Sequence, residues 1–357
     1  MVPITANFQR ERPLHPEAAA LLERIFERGW ADPAKLHLES RRAAILLQEA
    51  KESLAGHLGL TPDELYFLGE PALGFHLGIT GLLSPDSTLI YSGIDRQEVM
   101  ATAASHEQTG GHSQKLRVGL LGEVEAFQSV PTDVLAWQLA NGETGILRTQ
   151  FPRGQHGQIF CDATSSGALV ALPEGWKSAL WEATAWGGPA GIGIFGLAEN
   201  AIWRNPIPHL DGRRVPGGFS LPLALASSVA LDHHMAEIST AATKLQGINQ
   251  EIRNFVVTEI GECDIAGTLS NTNPEILSLS FLYIDAERLL TELDAAGFAV
   301  DSGSACSSMN LTPSHVLAEM GLLTGGNIRL RLNADIEPTA IAEFLKTLQV
   351  KVAALRS

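Results

Sequence analysis

"SALWEATAWGGPAGIGIFGL", residues 178–197, reads as strand, glycine-rich turn, strand. The apolar runs on either side of Gly187-Gly188-Pro189 are short, and glycine with proline punctuates them, as between neighbouring strands of a buried sheet. Upstream, "QIFCDAT" (158–164) is a continuous apolar run ending in Asp162. A strand buried on both faces has that appearance, because neither face needs polar residues. "VLAWQLA" (134–140), "STLIYSG" (87–93) and "DELYFLG" (63–69) read as further strands, the last closed by a turn at Gly69-Glu70-Pro71.

Helical spacing lies between and around these strands. "PEAAALLERIFER" (16–28) predicts an amphipathic helix, and a second runs from about Lys35 to Leu58. Residues 220–256 form a long helical stretch, with a bend expected after Pro222, since an interior proline removes a backbone hydrogen bond. The last hundred residues alternate more tightly. Strand "EILSLSFL" (275–282), helix "DAERLLTELDAAG" (285–297), helix "PSHVLAEMG" (313–321), strand "NIRLRLN" (327–333) and helix "PTAIAEFLKTLQVKVAAL" (338–355) follow one another. Strands alternating with helices predict an α/β fold with a largely parallel sheet, and the long helix is a bridge to a smaller C-terminal domain.

The chain has 357 residues, 45% hydrophobic and 18% charged, with a formal net charge of −15. An acidic surface argues against nucleic acid or anionic membrane as partner. No apolar run reaches membrane-spanning length, and "MVPITANFQRERPLHPE" lacks an apolar signal core, so a cytoplasmic location is expected. Cys161, Cys263 and Cys306 are odd in number and lack metal-type spacing, which argues against a disulfide framework and against a metal site. Cys306 differs from a packing cysteine in its neighbours. "VDSGSACSSM" (300–309) surrounds it with glycine, serine and alanine, which give access rather than burial.

Several stretches in order resemble the cysteine desulfurases, a branch of the class V aminotransferases that use pyridoxal phosphate. "DSGSACSS" (301–308) is similar to the family's persulfide loop and "ANGETG" (140–145) to its "NNETG". "PSHVLAEMG" and "NIRLRLN" are similar to its C-terminal helix and arginine strand. "ADPAKLHLESRRAAILLQEAKE" (31–52) resembles its "GNPSSLH…GR" segment. The resemblance covers about residues 4 to 350. It implies the type I fold of pyridoxal phosphate enzymes: a large domain with a mainly parallel seven-stranded sheet (residues 16–230), and a small α+β domain built from residues 1–15 with 231–357. It also implies a homodimer, or a heterodimer with an active desulfurase, and a sulfur-acceptor protein as partner.

On that resemblance Cys306 is the catalytic thiol. Asp162 pairs with the pyridinium nitrogen, His106 stacks on the ring, Asn141 and Ser165 contact the cofactor, and Arg329 clamps a substrate carboxylate; Arg331 shares its strand face. The anchoring lysine is missing. Aligning on Gly188-Pro189 places Ala185 where the family forms its Schiff base, Thr184 at the preceding histidine and Glu182 at a phosphate-binding serine. The phosphate cup is also depleted: Ala72 and Gly218 replace threonines, Ser165 replaces a glutamine, and Glu70 adds negative charge. Cofactor capture through residue 185 is therefore not expected. Three readings follow: a desulfurase-like protein with a degenerate site that carries or passes on persulfide, an active enzyme with an atypical site, or a small-molecule binding module. The apolar, glycine-lined "TAWGGPAGIG" suits a flat ligand in the third case.

Overall fold

The computed structural model describes residues 5–9, 12–152, 157–208, 214–215, 217–303 and 313–357. The chain runs β1 (Ala6–Asn7), α1 (Pro16–Arg28), α2 (Leu38–Leu58), β2 (Leu65–Leu68), α3 (Leu73–Thr80), β3 (Thr88–Ser92), α4 (Gln97–Gln108) and β4 (His112–Leu116). It continues through β5 (Val134–Gln138), β6 (Gln158–Asp162), β7 (Trp176–Glu182), β8 (Gly193–Leu197) and the long α5 (Leu221–Phe255). Then come β9 (Cys263–Ile265), β10 (Ile276–Phe281), α6 (Ala286–Ala295), β11 (Phe298–Ala299), α7 (His315–Met320), β12 (Ile328–Arg331) and α8 (Pro338–Arg356).

Seven strands form one sheet in the order β2-β8-β7-β6-β5-β3-β4, and only β8 runs against the others. This is the mainly parallel α/β sheet expected from the apolar runs. Side chains alternate between its faces. Trp137, Cys161 and Trp181 face a core closed by α1, α2 and the start of α5. Ala136, Phe160 and Leu180 face a second core closed by α3 and α4. Burial on both faces explains why these strands lack a polar alternation.

The opening stretch folds as read. β7 and β8 pair antiparallel, joined by a 3-10 turn at Ala183–Trp186 and the loop after it. Gly187 ends that turn at φ +75, a left-handed conformation that glycine adopts without strain. A Cβ at Gly188 would come within 2.7 Å of the Ala183 side chain. The bend expected after Pro222 does not form. α5 begins at Leu221, so Pro222 lies in its first turn, where no intrahelical partner for an N–H is needed.

Beyond the large sheet, β12, β10 and β9 form an antiparallel sheet, and β1 pairs in parallel with β11. Phe8, Phe281, Phe298 and Phe344 fill a separate core there with α8 and the later turns of α5. Among the described residues no helix is long and apolar enough to cross a membrane.

Candidate functional site

Adjacent parallel strands bring chemistry to their carboxyl ends, where open α/β sheets place ligands. β5 ends in Gln138 and β6 in Asp162, paired in register. Asp162 is buried, 2% exposed. Its Oδ1 accepts from the Thr164 N–H at 3.0 Å and the Thr164 hydroxyl at 2.6 Å. The other oxygen accepts from Gln138 Nε2 at 3.4 Å and faces Arg96 Nε at 3.6 Å. Arg96 caps α4 directly after β3. Its Nη2 donates to Ser165 Oγ at 3.2 Å, and its guanidinium lies 5.7 Å from the Phe75 ring centroid.

Asn141 extends this network. Its Nδ2 donates to Gln138 Oε1 at 3.0 Å and to the Ile94 carbonyl at 3.1 Å. Its Oδ1 accepts from the N–H groups of Glu143 and Thr144 and from the Thr144 hydroxyl. Both amide protons are therefore spent inside the chain, and the residue anchors its own turn. Ala185 lies at the same edge. Its methyl sits 3.3 Å from where a Cβ at Gly167 would stand, and its carbonyl accepts from Arg331 Nη2 at 3.4 Å.

On β12, Arg329 pairs with Asp301 at 3.3 Å and shares a backbone bridge with it. Facing Arg329 is Glu143, whose carboxyl is pushed above its ordinary range by burial, against the pull of Ser314, Arg329 and His315. Glu143 Oε1 is buried without a hydrogen-bond partner among the described residues. A Cβ at Gly303 would collide with this carboxylate.

Of the residues expected from sequence, the structure joins Asp162, Ser165 and Asn141 in one network, with Ala185 at the same edge and Arg329 reached through Glu143. His106 is a correction. It lies in the last turn of α4, and its Nε2 donates to the Ser87 carbonyl at 2.9 Å. Ser87 precedes β3, so His106 sits at the sheet edge opposite Asp162. It is a tether for a helix end. His106→Ala is expected to cost about 0.5–1.5 kcal/mol in chemical denaturation, the worth of one hydrogen bond. An unchanged unfolding free energy would contradict this placement. Arg96, Gln138 and Glu143 were missed; their signal was position, at or just beyond the carboxyl ends of β3 and β5.

Cys306 lies outside the described residues. Burial pushes the thiols of Cys161 and Cys263 up, which disfavours the reactive thiolate at both.

The residues present do not fit pyridoxal phosphate as the resemblance would hold it. Among the described residues, the hydrogen-bond and ion-pair partners of Asp162 are Thr164, Gln138 and Arg96, and none is a lysine. Lys177, at the amino end of β7, donates to Asn200 Oδ1 at 2.9 Å. Lys115, on the edge strand β4, pairs with Glu319 at 2.8 Å. A cationic ring nitrogen would have to share Asp162 with the Arg96 guanidinium. The phosphate would meet Glu70, whose Oε1 already accepts the Ala72 N–H at 3.1 Å at the start of α3. Anion repulsion there disfavours a dianion.

No family model matches the chain. Among curated proteins it is similar to a cysteine desulfurase of Nostoc sp., 25% identical, over 92% of this chain and 87% of that one. It is similar to cysteine desulfurase IscS of Escherichia coli, 24% identical, over 99% of this chain and 94% of that one. Among solved structures it resembles a NifS-like protein, with TM-score 0.85 and 19% identity over 98% of this chain and 99% of that one. An apo cysteine desulfurase from Thermococcus onnurineus matches with TM-score 0.80 and 12% identity, over 98% of this chain and 94% of that one.

Proposed function

We propose that this chain, similar over nearly its whole length to the cysteine desulfurases, serves sulfur transfer as a persulfide carrier or partner rather than as a pyridoxal phosphate-dependent desulfurase. One observation supports this reading above the others. Asp162, the carboxylate at the end of β6, is engaged by Arg96, and the alignment on Gly188-Pro189 sets Ala185 at the place of the anchoring lysine. Cys306 supplies the remaining chemistry. Its thiolate attacks the outer sulfur of a donor cysteine's persulfide. The donor S–S bond breaks, a new S–S bond forms at Cys306, and the donor leaves as a thiolate. Electrons balance without an added oxidant, so the step needs a thiolate and access, not a cofactor.

The partners on this reading are a second copy of the chain or an active desulfurase, and an acceptor protein that takes the sulfur onward. The test mixes the protein with a separate desulfurase and sulfur-labelled cysteine. Label is expected on wild type and absent from Cys306→Ala. The protein incubated with pyridoxal phosphate is expected to stay colourless, and borohydride to fix no cofactor to any lysine. Release of alanine and sulfide from cysteine by the protein alone would overturn the reading.

One feature favours the third reading, a binding module. A half-open cavity of about 670 Å³ lies beside the turn after β7, lined by Arg12, His15, Trp186, Gly187, His234 and Lys244 among others. A thermal shift with a flat small molecule and no label uptake would favour it.

A further inference from the structure

We infer that Arg96 is the residue that excludes a cationic heteroaromatic ring from the pocket at Asp162, and that restoring a lysine at residue 185 would not by itself reopen it. This deepens the reading above and rests on it for the assignment of Asp162.

The geometry is that of an internal stand-in. A ring held against Asp162 needs a flat cationic edge beside Oδ2 and an apolar surface on its face. Arg96 already meets both needs. Its Nε lies 3.6 Å from Asp162 Oδ2, and its guanidinium lies over Phe75 at 5.7 Å. Its Nη2 is fixed by Ser165 at 3.2 Å. Side-chain exposures of 18% for Arg96 and 4% for Asp162 place the pair largely away from water. A guanidinium does not deprotonate in proteins, so it cannot become neutral to tolerate a second cation. It must swing out, leaving a buried carboxylate for an incoming ring to pair with. Two cations at one buried carboxylate repel each other more strongly than in water. Ala185 and Arg96 are thus separate obstacles: one removes the amine, the other fills the seat.

The test uses pyridoxal, which lacks the phosphate that would meet Glu70. Wild type, Ala185→Lys, and Arg96→Ala with Ala185→Lys are incubated with it and reduced with borohydride. Where the aldehyde reaches residue 185, the lysine amine condenses with it, water leaves, and hydride reduces the C=N bond. Peptide mass then reports adduct at residue 185 against the seven native lysines as internal controls. The double variant is expected to carry about tenfold more adduct at residue 185 than Ala185→Lys alone. Its melting temperature is expected to rise with pyridoxal, which also shows that it is folded. Equal capture by the single variant overturns the inference. So does a folded double variant without adduct. Lower capture in the double variant overturns it too, by making Arg96 a stacking platform. Colour formation by wild type with pyridoxal phosphate is a different result, which sinks the carrier reading.

Discussion

Asp162→Ala is expected to lower the unfolding free energy by about 3–5 kcal/mol, the usual cost of removing one member of a buried ion pair. The size follows from what the carboxylate holds. It accepts three hydrogen bonds, from the Thr164 N–H and hydroxyl and from Gln138, and it offsets the charge of Arg96. Without it, Arg96 keeps a charge it cannot lose in a site that is mostly dry, and Gln138 loses an acceptor. Arg96→Ala is expected to cost less, because the carboxylate left behind keeps its other donors and can take up a proton. The two losses should not add. A double-mutant cycle by urea denaturation should return a coupling of about 0.5–3 kcal/mol, the range for contacting residues in one network. A carboxylate kept free for a ligand would behave differently, since its removal would relieve an unpaired buried charge. A loss below about 1 kcal/mol for Asp162→Ala, or a cycle that closes to zero, would sink the internal pair as a structural unit.

This pairing also marks where reading the sequence runs out. "QIFCDAT" was legible as a buried strand ending in a carboxylate, because both sheet faces press the same demand on every residue. Ala185 was set opposite the family's lysine by aligning on the Gly188-Pro189 turn, a register read from the sequence alone. The contact between Arg96 and Asp162 was not legible. Arg96 and Asp162 are far apart in the chain, and they meet only because β3 and β6 are both hydrogen-bonded to β5. His106 was misplaced for the opposite reason. It was matched to the ring-stacking histidine by resemblance alone, whereas α4 runs through it to Gln108. Only Val99, Thr102 and Ala103 of that helix are buried, too few to advertise a period. Pro222 misled through position alone, since the same residue is a breaker inside a helix and harmless in its first turn.

A second buried carboxylate behind the site, Asp95, should make stability depend on pH, with the charge of Arg148 working against its burial. Asp95 is 1% exposed. Burial pushes its carboxyl up to about 6, against the pull of Arg148 and of Ser92, whose N–H it accepts at 2.7 Å; the charge of Asp162 pushes the same way as burial. Arg148 is held by the Ser92 hydroxyl at 3.2 Å and lies 5.2 Å from the Trp137 ring centroid. A carboxyl whose folded value lies above its ordinary 3.8 binds its proton more tightly when folded. Its contribution is fully present below about pH 4 and is lost as pH rises through about 6. Relative to Asp95→Asn, wild type should therefore lose about 3 kcal/mol between those limits, the other carboxylates being common to both. Arg148→Met should sharpen the effect. Without the guanidinium the carboxyl climbs further, and its loss of stability extends to higher pH. The variant is expected to be less stable than wild type near pH 8, and the penalty to be clearly smaller near pH 5, where Asp95 can take up a proton and the guanidinium's charge is no longer missed. Denaturation curves at the two pH values decide it. An Arg148→Met penalty that is the same at both would mean that the Asp95 carboxyl does not titrate in this window, and that Arg148 contributes by packing on Trp137 rather than by charge.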